Sequence, residues 1–147
     1  MSELGNNTEV RQILLAEDDQ DDVYLFKAAL EGLDEQIDVT VAQDGEEVIN
    51  ILKNDKIEPD LVFLDINMPR KNGFECMAEI RNLSNEARIP VILLSTHQND
   101  DQIKRAKALG AAGYIKKATS FLKYKKTICD VINRNWKTGI RMDFYVA

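Results

Sequence analysis

The sequence lacks most of what marks a membrane, secreted or nucleic-acid-binding chain. No apolar run approaches the ~20 residues that a membrane-spanning helix needs, so none is expected. The opening stretch, MSELGNNTEV, has neither a basic start nor an apolar core, and nothing in it marks the chain for export. Cysteine is scarce: Cys76 and Cys129 stand far apart and outside any CxxC spacing. They read as small core fillers in a reducing compartment, not as a disulfide or a metal site. Excess positive charge is absent too, and a formal charge of −6 argues against non-specific contact with nucleic acid. What these absences leave is a cytoplasmic globule. Its 147 residues suit one domain with a sizeable core, and 44% hydrophobic against 30% charged residues agrees with that class.

What is present is a rhythm. Short apolar runs alternate with stretches of helical period, five times over. The runs are Ile13 to Ala16, Ile37 to Ala42, Leu61 to Leu64, Val91 to Leu94, and Tyr114-Ile115. Three are uniformly apolar, as strands covered on both faces are. Ile37-Asp38-Val39-Thr40-Val41 alternates instead, which predicts an edge strand with one wetter face. Between the runs lie helical stripes: Val23, Phe26 and Leu30; Val48, Ile49 and Leu52; Phe74, Met77 and Ile80. Ile103 and Ala106 give a weak fourth stripe, and Phe121, Ile128, Val131 and Ile132 a strong fifth. Asp44-Gly45 and Asn72-Gly73 precede helices, Gly110 suits a helix end, and Pro90 opens a strand. Five βα units predict an α/β three-layer sandwich with right-handed crossovers. Its five-stranded parallel sheet is expected in the flavodoxin-like order 2-1-3-4-5, which puts the alternating second strand at an edge.

In an open parallel sheet, ligands bind beyond the carboxyl ends of the strands. Strand one ends in Glu17-Asp18-Asp19, strand three in Asp65, strand four in Ser95-Thr96 and strand five in Lys116-Lys117. Carboxylates, a hydroxyl and an ammonium therefore converge on one crevice. Crowded carboxylates repel, and a hard cation such as Mg²⁺ relieves the repulsion. Each residue also has a plainer use. Asp19, Asp21 or Asp22 suits a cap on the first helix. Ser95 suits a satisfied hydroxyl at a strand end, and Lys117 a solvated ammonium. Glu17 and Asp18 directly follow a buried strand, where a cap is less needed, and read as site residues. Joint arrival at the strand ends, not any single residue, points to chemistry.

In these residues the chain resembles the response-regulator receiver domains of two-component signalling, from about Gln12 to about Trp136. ILLAEDD resembles the family's first-strand motif, with Glu17 and Asp18 as its acidic pair, and LVFLDINMPRKNG its phosphorylation motif, with Asp65 as phosphoacceptor. PVILLST puts Ser95 on the switch hydroxyl; GYIKK puts Tyr114 on the switch aromatic and Lys117 on the phosphate-contacting lysine. The resemblance implies Mg²⁺ ligated by Asp18, Asp65 and the backbone carbonyl of Asn67, with Glu17 acting through water. It implies that Asp65 takes a phosphoryl group from a histidine kinase, a phosphotransfer protein or a small phosphodonor, while Lys117 neutralises charge. Ser95 then donates to the phosphoryl group, and Tyr114 turns into the vacated space, a population shift between two packings. Such a chain is no enzyme beyond its own phosphorylation and dephosphorylation.

Three features depart from the family pattern or extend it. Ala118 stands where the family has a proline after the lysine, so the peptide there is either a strained cis bond or re-routed to trans. Thr96 is larger than the usual residue after the switch hydroxyl and narrows access to the phosphoryl group. His97, the only histidine, reads either as a plain loop residue or as an overhang that tunes the approach of water. Two rivals share parts of the pattern. A flavodoxin needs a phosphate-cradling loop after strand one, where Glu17 to Asp22 would repel FMN phosphate. A phosphoaspartate hydrolase wants a second acid two residues after the nucleophile, where Asn67 stands.

The expected organisation is an N-terminal arm at 1–11, the receiver-like domain at 12–136, and a tail at 137–147 without an output domain. A stand-alone domain of this kind signals through contact with a downstream protein, using neither nucleic acid nor membrane. The fifth helix is expected to end near Trp136, with Gly139 as terminator. Beyond it Ile140, Met142, Phe144 and Val146 alternate with polar or amphipathic residues, an extended strand with one apolar face. That strand can fray, fold back, or pack against a second copy. A homodimer through helix five and the tail is the expected outcome, since two-fold pairing commonly buries such a patch.

Overall fold

The computed structural model describes residues 10–33, 36–54, 57–83, 89–134, 136 and 144–147. Along them run β1 (Gln12–Ala16), α1 (Gln20–Ala29), β2 (Asp38–Ala42), α2 (Gly45–Lys53), β3 (Leu61–Asp65) and α3 (Gly73–Asn82). There follow β4 (Val91–Ser95), α4 (Asp100–Ala108), β5 (Gly113–Lys116), α5 (Phe121–Ile132) and β6 (Tyr145–Val146). Each helix begins where a short polar side chain takes up a free backbone N–H: Asp19, Asp44, Asn72, Asn99 and Ser120 are the N-caps. Asn72 and Glu75 satisfy one another's backbone in a capping box at the start of α3.

The strands form one parallel sheet in the order β2-β1-β3-β4-β5-β6. Successive residues of a strand face opposite layers. Ile13 and Leu15 pack with Phe26 of α1 and Ile128 and Val131 of α5, while Leu14 and Ala16 pack with Val48 and Leu52 of α2 and Met77 of α3. Both layers are apolar, which is why β3 and β4 are buried at every position. β2 lies at one edge, and Asp38 is exposed there, as its alternating sequence predicts. The register keeps the carboxyl ends level: Ala16 pairs with Leu64, Asp65 with Leu94, and Ser95 with Lys116. Residues that follow those positions therefore meet at one rim. Gly73 lets α3 start against that rim, because a Cβ there would lie 2.7 Å from the Asp65 carbonyl oxygen.

The sheet has six strands where five were expected, and the sixth comes from the tail. Tyr145 donates its N–H to Ala112 O (3.0 Å), Ala147 to Tyr114 O (3.1 Å), and Lys116 donates to Ala147 O (2.8 Å). Gly113 admits this strand: a Cβ there would sit 2.8 Å from Tyr145 O. Phe144 packs in the layer of α4, with the Lys107 ammonium 5.3 Å from its ring, and Tyr145 in the layer of α5, beside Arg134. The described part of the tail thus folds back on its own domain, one of the three fates its alternating pattern allows. Bonding to its own β5 edge satisfies the strand's backbone at no cost in association entropy. α5 ends at Ile132 with Asn133 as its cap, a turn before Trp136; Ile140, Met142 and Gly139 lie outside the described residues.

Candidate functional site

Glu17 is the first residue past β1, and its backbone N–H donates to Ala42 O, which holds it over the sheet end (2.9 Å). Its carboxyl is buried. Burial pushes it up from 4.5 to about 8; the bond from Lys117 pulls the other way, and the neighbouring Asp65 adds to the rise. Asp65 closes β3 and is also buried, with the Asn67 N–H on its Oδ1 (3.2 Å). Asp18 is exposed at the rim. Ligand oxygens of Glu17, Asp18 and Asp65 lie within 4.8 Å of one another.

One ammonium answers these carboxylates. Lys117 Nζ stands 2.8 Å from Glu17 Oε1, 2.9 Å from Asp22 Oδ2 and 3.4 Å from Asp65 Oδ2. Burial alone would lower the affinity of Lys117 for its proton, but the bonds to Glu17 and Asp22 outweigh it, and the net direction is up. The lysine is therefore firmly charged while Glu17 is held off its charged form. The Lys117–Ala118 peptide is trans, since the described chain has no cis bond. Lys117 N–H donates to Ser95 O (2.7 Å), tying the ends of β4 and β5 together.

Ser95 is buried, and its Oγ accepts the His97 N–H (3.1 Å). The carbonyl of the same His97 accepts from the Tyr114 hydroxyl (2.7 Å), which also reaches Gln102 Oε1 (2.5 Å). A single backbone unit thus bridges the hydroxyl and the aromatic. Tyr114 is fully buried, and its hydroxyl bonds hold it beside His97 and α4. Thr96 and His97 are both exposed, and the Thr96 hydroxyl lies 3.0 Å from His97 Nδ1.

The loop after β3 carries a backbone feature that sequence reasoning missed. Arg70 has φ +65°, a left-handed value uncommon for a side-chain-bearing residue, and its guanidinium reaches Asp44 at the start of α2 (3.1 Å). Asp22 is the other omission. The sequence gives it a capping role, yet Asp19 takes the N–H groups of both Asp21 and Asp22 and leaves the Asp22 carboxylate free to reach Lys117. The available signal was that one helix start needs one cap, so a third acid in that turn had no assigned task.

The donor set fits a hard divalent ion. It offers carboxylate oxygens only, two buried and one exposed, at ligand spacing, with one carboxyl held off its charged form by burial.

Comparison with known proteins gives consistent results. A family model described as the response regulator receiver domain matches residues 13–128. Response regulator Rcp1 of Synechocystis sp. is 31% identical over 123 residues, covering 80% of this chain and 82% of that protein. Chemotaxis protein CheY of Halobacterium salinarum is 30% identical over 123 residues, covering 83% and 97%. Among solved structures, the phosphorylated cyanobacterial phytochrome response regulator RcpA superposes with a TM-score of 0.77 at 32% identity, over 82% of this chain and 90% of that one. The Mn(2+)-bound form of Rcp1 gives 0.77 at 26% identity, over 90% and 98%.

Proposed function

This chain belongs to the response regulator receiver domain family, and we propose that Asp65 is the residue on which it accepts its phosphoryl group. One solved relative, the cyanobacterial phytochrome response regulator RcpA, is a phosphorylated form, and the family resemblance puts the phosphoryl group on an aspartate. What supports Asp65 is one observation: its buried carboxylate at the end of β3 shares a rim with Glu17 and Asp18 and lies 3.4 Å from Lys117 Nζ.

The donor is the phosphohistidine of a histidine kinase or phosphotransfer protein, or a small acyl or amido phosphate. An Asp65 oxygen forms the new P–O bond as the P–N bond to the donor imidazole breaks, and that bond's electron pair stays on the ring nitrogen. Lys117 turns an N–H from Asp65 toward the phosphoryl oxygens, where charge spreads during transfer. Mg²⁺ is the proposed ion; Asp18, Asp65 and the backbone carbonyl of Asn67 would hold it, with Glu17 acting through water. When bound, it neutralises charge on the phosphoryl oxygens.

The switch pair is Ser95 and Tyr114. A Ser95 hydroxyl that turns to a phosphoryl oxygen gives up the His97 N–H, and His97 carries the change to Tyr114 through its carbonyl. The reporting surface is α4, β5 and α5, read by a downstream protein in the cytoplasm. Catalysis is confined to the chain's own phosphorylation and dephosphorylation. A homodimer through α5 and the tail would use what the fold-back leaves open, the outer edge of β6 and half-exposed Val146.

Incubation with Mg²⁺ and a small acyl phosphate tests the proposal. One phosphoryl group, labile in alkali and absent from Asp65→Asn, is expected. Equal labelling of the Asn variant would refute it.

A further inference from the structure

Asp22 sits in the first turn of α1 and is half-exposed, yet its carboxylate makes one of the two shortest contacts of Lys117. The plain explanation is that acids favour a helix N-terminus. That explanation accounts for its position and not for its bond. Capping is complete without it: Asp19 Oδ1 accepts from Asp21 N and Asp22 N, and Asp19 N donates to Glu17 Oε2 (3.3 Å).

We propose that Asp22 is a positioning residue for phosphoryl transfer, anchoring the Lys117 ammonium so that one N–H stays directed at the reacting oxygens of Asp65. This role rests on Asp65 being the phosphoacceptor. An ammonium has three donors, and three carboxylates surround this one. Two of them would have other work during transfer: Asp65 bears the new bond, and Glu17 would serve the divalent ion. Asp22 alone has no such duty, so its bond persists from the resting to the phosphorylated state.

The surroundings explain why an anchor is needed. A cavity of about 40 Å³ opens beside the pair, lined by Asp22, Leu25, Lys117, Ala118 and Tyr124. Ala118 lines that space with only a methyl group. An unanchored Lys117 has space between α1 and α5 to swing into, away from Asp65. Asp22 closes that option by joining α1 to the end of β5, ninety-five residues away.

The test uses the full chain, acetyl phosphate as donor and Mg²⁺ as ion. Asp22→Ala lowers the maximal labelling rate at saturating donor by about two- to fivefold, as expected for a half-exposed ion pair. Its Mg²⁺ affinity, by calorimetry, stays within about twofold of wild type, because the carboxylate is not a ligand. Asp22→Asn, which keeps an acceptor oxygen, loses less and carries the same criteria should the Ala variant fail to fold. In a Lys117→Ala background, Asp22→Ala has no further effect. Unchanged or faster labelling by the Ala and Asn variants overturns the role, as does a parallel loss of Mg²⁺ affinity or an effect that persists without Lys117. A wild-type chain that takes no phosphoryl group overturns the Asp65 assignment and the anchor with it.

Discussion

At the scale of single residues, Glu17 carries the sharpest consequence. Its carboxyl is raised from 4.5 to about 8, so the metal-free folded state holds a proton that the unfolded chain gives up. The associated stability is complete below about 4.5 and is lost as pH rises toward about 8. A divalent ion favours the charged form, so binding near neutral pH should release protons. Calorimetry in buffers of different ionisation enthalpy should show that release, and Glu17→Gln should abolish it; heats independent of buffer would contradict the assignment. Residues at strand ends were the legible ones, because a βα rhythm fixes where each strand stops. Asp65, Ser95 and Lys117 needed no more than that. Asp22 needed more: whether Asp19, Asp21 or Asp22 caps α1 depends on the helix start to within one residue, which periodicity does not resolve.

At the scale of elements, α4 and α3 make a contrast. α3 buries Phe74, Cys76, Met77 and Ile80, whereas Ala106 is the only fully buried residue of α4. Arg105 over the Phe74 ring (4.2 Å) and Lys107 near Phe144 fasten α4 by partly exposed cation–π contacts, each contributing about 0.5–1 kcal/mol. Little apolar burial means low local stability, and switching elements are drawn from that end of the range. Amide exchange in α4 should run at least about tenfold faster than in α3 and change on phosphorylation, a difference of about 1.4 kcal/mol in local opening. Equal protection with and without phosphate would count against α4 as the responsive helix. The tail was half legible. Its period of two announced a strand, but an alternating pattern does not say which edge it joins. Gly113, whose missing Cβ lets Tyr145 approach, gives no such sign in the sequence.

At the scale of the molecule, the site opens beside an apolar surface that the fold does not use. Tyr24 and Leu25 on α1 and Phe121 and Leu122 at the start of α5 are exposed, and Leu25 lines the same small cavity as Lys117. A protein donor that docked on this surface would bring its phosphohistidine beside Asp65, and covering apolar side chains is what would favour such docking. Leu122 is 77% exposed, so Leu122→Asp spares the fold. It should slow transfer from a protein donor by about tenfold or more and leave labelling by acetyl phosphate unchanged. Loss with both donors would mean a damaged site, not a docking face. The central claim, that the phosphoryl group resides on Asp65, has its most direct test in reduction of the phosphorylated chain with borohydride, which converts a phosphoaspartate to homoserine. Peptide sequencing by mass spectrometry should then find homoserine at position 65 alone; homoserine at Asp18 or elsewhere, or none from a labelled chain, would contradict it.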